Sequence, residues 1–302
     1  MSGFVEDIQR NFKDGSMVVK LIYLNVAVFV VLLILGLVGG LFTPRAVHPG
    51  LAASMSEWAE WLMMHSKLSE LVFKPWTLIT HMFTHVDVFH LLFNMLMLYF
   101  SGQLFVRFFG EKKLLSIYLM GGLAGAAALI IASAFLPYFE GGSSMALGAS
   151  AAVMSIFIAC CVYAPKMIVN LFGIFPLELR YLGLIIFGLD LVKFYDGNTG
   201  GHIAHIAGSA FGFFMAKQYI QGKDITRGFA RALETMSSWF KKKDNSLYVS
   251  HSKVRKMKDE DYNFSKTKMQ EKVDQILDKI GRSGYESLSK EEKEFLNKSS
   301  RQ

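Results

Sequence analysis

The sequence is short of cysteine and, over much of its length, of charge. Its only cysteines, Cys160 and Cys161, are adjacent. Neighbours on a helix point in different directions, so the pair does not bridge and carries no information on redox compartment. Charged residues are absent from 88–106, 141–165 and 197–216. A chain that is 52% hydrophobic, with 26 Phe and 16 Met gathered into such stretches, reads as a polytopic membrane protein rather than a water-soluble globule. A secretory signal peptide is also missing: the first apolar run is too long, and no small-residue cleavage site follows a short apolar region.

About 20 apolar residues cross a bilayer as a helix. Leu21 to Phe42, Val88 to Val106, Leu114 to Phe139, Ser143 to Pro165 and Gly200 to Ala216 qualify, and Tyr181 to Tyr195 is a weaker span interrupted by Asp190 and Lys193. The expectation is an all-α, six-transmembrane-helix bundle followed by a small C-terminal helical cytosolic region. Residues 1–221 carry 13 Lys/Arg and 12 Asp/Glu, whereas 222–302 carry 19 and 13, so the tail holds +6 of the net +7. Basic clusters fall before the first span and after the second, fourth and sixth, which places both termini in the cytosol. The chain then divides into an N-terminal lead (1–17), a membrane domain (18–221) with a long first loop (43–75), a basic amphipathic segment and linker (222–262), and a helical hairpin (263–302).

Trp58, Trp61, Met55, Met63 and Met64 in the first loop suggest short helices at headgroup level; the plainer reading is a surface loop capping the bundle. In the tail, Ile225, Phe229, Leu233, Met236 and Phe240 recur at helical spacing beside Arg227 and Arg231. A helix on an anionic membrane face and an ordinary surface helix fit that pattern equally. Further on, Val273, Ile276, Leu277 and Ile280 form a stripe with Gly281 as C-cap, and Ser289 with Glu292 is a capping box. The tail has no phosphate loop, zinc motif or catalytic signature. Its 19 basic residues are interspersed with 13 acids, which argues against nucleic-acid binding.

Against this apolar background a few polar side chains stand out. Ser150, His205, and His90 with Asn94 lie in three separate uncharged spans. A polar group in hydrocarbon is costly unless partnered or useful. Serine is a poor nucleophile until a base takes its proton, and histidine, with a pKa near neutrality, suits that role. Small residues in the fourth span (Gly148, Ala151, Ala152, Ser155, Ala159) and the sixth (Gly201, Ala204, Gly208, Gly212) let the two approach backbone to backbone, bringing His205 to Ser150. His90 and Asn94, i and i+4, share a helix face. With the Ser150 amide they can serve a developing oxyanion, each donor being worth about 3–4 kcal/mol. No acid lies at an obviously matching depth; Asp190 is the single candidate, and a Ser–His dyad is expected. The bland readings are a serine bonded to its own helix, a His90–Asn94 pair gluing helices, and metal held by His81, His85, His202 and His205. Acids are lacking beside these histidines, and no inverted repeat marks a transporter.

The segments Trp76-Thr77-Leu78-Ile79-Thr80-His81-Met82-Phe83-Thr84-His85, His90-Leu91-Leu92-Phe93-Asn94, Gly148-Ala149-Ser150-Ala151 and Ala204-His205-Ile206-Ala207-Gly208 with Gly212 form an ordered set. In that set the chain resembles the rhomboid family of intramembrane serine proteases, over about residues 15–221. The resemblance implies Ser150 as nucleophile and His205 as base. It puts His90, Asn94 and the Ser150 amide at the oxyanion hole, with Gly148, Ala151, Met154, His85 and Gly208 in support. Phe93 and the fifth span would flank a side gate, and loop 43–75 would be the family's membrane-lying first loop. The implied reaction is hydrolysis of a peptide bond in or near a transmembrane segment, with no cofactor and no metal. The partners implied are transmembrane protein substrates and the bilayer, with a homodimer open to it. The alternative is a catalytically inactive relative that binds transmembrane clients.

Four positions depart from the family's pattern. Ala151 stands for a glycine, Met154 for a frequent aromatic residue, Trp76-Thr77 for a Trp-Arg pair, and Phe105-Val106 for an acidic residue before Arg107. The tail resembles a small helical domain that follows bacterial rhomboids. With nothing like an organelle transit peptide present, a bacterial inner membrane is the expected location.

Overall fold

A computed structural model describes residues 15–43, 50–140, 144–171, 174–194, 197–240, 272–282 and 284–299. The chain separates into two compact units, Met1–Trp239 and Phe240–Gln302. The first unit holds α1 (Met17–Leu41), α2 (Leu51–Ala59), α3 (Val88–Phe109), α4 (Glu111–Phe135), α5 (Ser150–Tyr163), α6 (Leu179–Val192), α7 (Thr199–Ile220) and most of α8 (Arg227–Phe240). Two small antiparallel ladders accompany them. β1 (Met64–His65) pairs with β2 (Met145–Ala146), and β3 (Ile168–Leu171) with β4 (Phe175–Glu178).

Among the described residues three helices, α1, α3 and α4, are long and apolar enough to cross a membrane, and α5 is a shorter apolar helix. Two expected spans have different ends. The third stops at Phe135 because Pro137 drives Leu136 into an extended conformation. The fourth does not begin at Ser143: residues 144–149 are non-helical and α5 starts at Ser150.

The centre of the unit is the meeting of α4, α5 and α7 through small residues. A Cβ on Gly208 would overlap the Ala151 carbonyl oxygen, and one on Gly212 would overlap that of Ser155. Gly121 faces the Ser155 hydroxyl, which donates to the carbonyls of Ile117 (3.2 Å) and Ala152 (2.8 Å). Gly201 does not join this strip; a Cβ there would meet the side chain of Asn198, which caps α7 by accepting the Gly201 amide at 3.2 Å. Leu98, Phe105, Ile117, Tyr118 and Ile156 fill the surrounding core. α1 is tied in by a buried polar bridge that sequence reading missed. Asn25 donates to Tyr118 Oη at 3.2 Å, and Tyr118 donates to the Met82 carbonyl at 2.8 Å.

Beyond α7 the chain folds back on the bundle. Ile225, Phe229 and Leu233 pack against the main core, which favours the ordinary surface-helix reading for that stripe, although Met236 stays exposed. Asp224 sits 3.5 Å from Lys113. Burial alone would raise its carboxyl, but hydrogen bonds from Thr226 and the Lys113 charge hold it below the usual range. The expected linker up to residue 262, and the lead before residue 15, lie outside the described residues.

In the second unit, α9 (272–282) and α10 (Lys290–Ser299) are bridged by Lys279 and Glu292 at 2.9 Å. The capping box forms: the Ser289 amide donates to Glu292 at 2.7 Å, and the Glu292 amide to Ser289 Oγ at 3.2 Å. Gly281 is not the C-cap. It lies inside α9, and Gly284 takes the positive φ of 76° while its amide donates to the Ile280 carbonyl.

Replacing glycine by alanine inside a helix normally stabilises by about 0.5–1 kcal/mol. Gly212→Ala should do the opposite here, costing about 1–3 kcal/mol through overpacking and lowering the thermal unfolding midpoint in detergent. A raised midpoint would mean that α5 and α7 do not meet at this glycine.

Candidate active site

Ser150 is the first residue of α5, and the loop before it is held by groups from the first loop. Gly148 has φ +105°, where side chains are strained, and a Cβ there would lie 2.7 Å from His90 Cε1. Its amide donates to the His81 carbonyl at 2.8 Å. The next amide, Ala149, donates to His85 Nε2 at 3.4 Å, and Asn94 Nδ2 faces the same nitrogen at 3.1 Å. With two N–H donors on Nε2, the proton of His85 belongs on Nδ1. Burial pushes the imidazoles of His81 and His85 down to about 4 and about 3, so both are neutral anchors.

The anchoring segment is itself pinned. Met82 bonds to Tyr118 and packs on Gly122 of α4. The β1–β2 ladder and a Ser66–Ser144 backbone bond of 2.9 Å join the first loop to the segment before Ser150. Where the family has a Trp-Arg pair, the Trp76 indole donates to the Trp61 carbonyl at 2.8 Å and the Lys74 ammonium lies 4.9 Å from the Trp61 ring.

α7 brings His205 to the serine, with Nε2 2.6 Å from Ser150 Oγ. His205 Nδ1 lies 2.7 Å from Asp190 Oδ1, and His202 Nδ1 lies 2.7 Å from the same oxygen. α6 thus brings Asp190, the one acid the sequence offers as a third member, against His205 of the expected Ser–His dyad. The sequence marks Asp190 both as an interruption of a weak span and as the single acidic candidate beside the pair. The usable signal was the rule that a carboxylate at membrane depth is itself a functional-site hypothesis. A carboxylate only accepts, so Nδ1 of His205 carries the proton and Nε2 presents its lone pair to the hydroxyl.

His90, Ser150, His205, His81 and Asn198 line a cavity of about 300 Å³. Asn94 is not among its lining residues. Its amide is engaged by His85 and by the His90 carbonyl at 3.0 Å. The ring against His205 is His202, with centroids 5.6 Å apart and an edge-to-face angle of 81°, while Met154 is buried in α5. Phe93 is 63% exposed on α3, and Leu184, Leu189 and Val192 of α6 are likewise exposed. The Ala151 methyl is accommodated because Gly125 of α4 has none; a Cβ on Gly125 would lie 2.8 Å from it.

Residues 72–221 match the model of the Rhomboid domain, and residues 256–302 that of a family of unknown function (DUF6576). The chain is 33% identical over 145 residues to RHOMBOID-like protein 12, mitochondrial, of Arabidopsis thaliana (44% of this chain, 43% of that protein). It is 28% identical over 162 residues to Rhomboid protease AarA of Providencia stuartii (48% and 56%). It is 26% identical over 158 residues to Presenilin-associated rhomboid-like protein, mitochondrial, of Bos taurus (48% and 38%). The matched part thus spans about half the length of these relatives. Their mixed organellar and bacterial origin does not support the bacterial inner membrane expected from sequence.

Gly125→Ala should lower thermal stability, because its methyl meets Ala151 Cβ and, at 3.0–3.1 Å, Ala204. Adding Ala151→Gly should return part of the loss, with a coupling of about 0.5–3 kcal/mol in a double-mutant cycle. Strict additivity would separate the two positions.

Proposed function

The chain belongs to the rhomboid family, and on that premise we propose that it is an intramembrane serine endopeptidase cleaving peptide bonds in or near transmembrane segments of membrane proteins. The observation that carries this reading is the 2.6 Å contact between His205 Nε2 and Ser150 Oγ, backed by Asp190 at 2.7 Å. As Oγ attacks the scissile carbonyl carbon, His205 Nε2 takes its proton. The imidazolium formed is stabilised by Asp190, which holds the tautomer and does not itself become protonated. His205 then protonates the leaving amide nitrogen. Water, deprotonated by the same imidazole, hydrolyses the acyl-enzyme.

The oxyanion falls to the Ser150 amide, a first-turn N–H with no partner inside its helix, and to His90 from across the cavity. Asn94 contributes by releasing one of its two present acceptors. Removing one such donor typically costs about 3–4 kcal/mol of barrier.

α5 has 14 residues, about 21 Å at 1.5 Å per residue, against a hydrocarbon core of about 30 Å. A helix that short starts below the membrane surface, and the non-helical 144–149 segment covers the difference. Six helices (α1, α3, α4, α5, α6 and α7) then cross the membrane, with both termini cytosolic and Trp58 and Trp61 at the headgroups. The substrate helix enters between the exposed apolar faces of α3, at Phe93, and α6.

A fluorophosphonate probe should label the full-length protein, and Ser150→Ala should abolish labelling; labelling that persists in this variant removes the assignment. Asp190→Asn should lower kcat by about 10²-fold or more with a smaller change in KM, since it disturbs the tautomer rather than substrate contact. Turnover equal to the parent would mean that Asp190 does not position His205. A protein that binds transmembrane clients yet is never labelled would be an inactive relative.

A further inference from the structure

Asp190 is used unevenly. Its Oδ1 meets both His202 Nδ1 and His205 Nδ1 at 2.7 Å, while Oδ2 is buried with no hydrogen-bond partner among the described residues. The Asp190 side chain is 10% exposed and that of His202 is 11% exposed. A dry carboxylate oxygen beside two imidazole nitrogens is a lone pair without an occupant, and such groups carry a desolvation cost. The three side chains each offer one ligand atom, and these atoms lie within 4.8 Å of one another.

We propose that Asp190, His202 and His205 form a binding site for a divalent transition metal of the zinc class, and that the metal switches the serine chemistry off. Zinc takes imidazole nitrogen at about 2.0–2.1 Å and carboxylate oxygen at about 2.0–2.2 Å, which in a tetrahedron needs ligand atoms about 3.3 Å apart. The site reaches this when the two 2.7 Å contacts open by about 0.6 Å and the two nitrogens, within 4.8 Å of each other, come to the same separation. With Oδ1 and the two nitrogens on the ion, a fourth position is left for water, which can donate to Oδ2. Two nitrogens and one carboxylate select zinc-class ions over magnesium or calcium, which prefer all-oxygen shells.

The switch follows from proton bookkeeping at His205. To bind metal through Nδ1, the neutral ring must carry its proton on Nε2. No proton is released; it changes nitrogen. Nε2, 2.6 Å from Ser150 Oγ, becomes a donor and has no lone pair for the hydroxyl proton. The metal also joins α6, which carries Asp190, to α7. Metal binding stands on the geometry alone, whereas the effect on catalysis rests on the serine-protease reading.

The two are separated by titrating Zn2+ into the full-length Ser150→Ala protein in detergent, which keeps all three ligands and cannot turn over. Calorimetry should give one Zn2+ per chain, and Co2+ in its place should show visible absorption of tetrahedral intensity. His202→Asn and His202→Gln should each weaken binding about tenfold or more, whatever change each makes to the metal-free thermal midpoint. Millimolar Mg2+ should not displace the ion. In the chain with Ser150 intact, Zn2+ should slow fluorophosphonate labelling and a chelator should restore it, with the half-point moved upward by His202→Asn as far as the affinity moves. Absence of stoichiometric binding, binding undiminished in both His202 variants, or displacement by Mg2+ would overturn the site. Binding that depends on His202, in a protein that is never labelled even without metal, would uphold the site and overturn the catalytic reading alone.

Discussion

The contact of α5 with α7 is the constraint on which the rest depends. Lipid tails are as apolar as leucine, so helices in a bilayer gain little from hiding apolar surface against one another. What holds them is close packing, and its closeness is set by the smallest side chains at the crossing. Here Gly208 and Gly212 rest directly on the carbonyl oxygens of Ala151 and Ser155. The spacing puts His205, three residues before Gly208, within 2.6 Å of a serine one residue before Ala151. α4 makes the third wall, and its own glycines, Gly121 and Gly125, absorb the Ser155 hydroxyl and the Ala151 methyl.

A second constraint concerns the non-helical backbone before Ser150. Irregular backbone at membrane depth survives only where its polar groups are satisfied by protein or face water. The amides of Gly148 and Ala149 go to the His81 carbonyl and to His85. The next carbonyl along, that of Met82, takes Tyr118, and Tyr118 takes Asn25. The segment from His81 to His85, and through Met64 and His65 the first loop before it, are therefore part of the site's foundation. Trp76 with Trp61 and Lys74 secures that loop.

What could be read from the sequence follows the same division. Ser150, His205 and the glycine pair were legible because small residues at helical spacing report a helix–helix contact locally. Asp190 was legible only as a candidate, since the contact joins two helices whose register no periodicity records. The start of α5 was illegible for a different reason: residues 143–149 are as free of charge as the helix after them, so charge does not mark where the helix begins. Asn94 shows the limit of i to i+4 reasoning. It shares a face with His90, yet its amide is drawn to His85 and away from the cavity. Gly281 was misplaced because a glycine three residues on, with φ 76°, ends α9 instead.

The surroundings of Asp190 also explain how an acid is tolerated beside a serine in an apolar bundle. An isolated carboxylate in a dry environment is costly, and the cost falls only when donors meet it. Two imidazoles on one oxygen supply that. An acid held by two N–H donors has little basicity left for the serine proton, so its part is geometric: it fixes which nitrogen of His205 carries hydrogen. On the proposed reading the base is then His205 itself, and its lone pair stays on the serine side only while nothing stronger than a proton occupies Nδ1. The arrangement that selects the productive tautomer is the same one that gathers two nitrogens and a carboxylate around a single point.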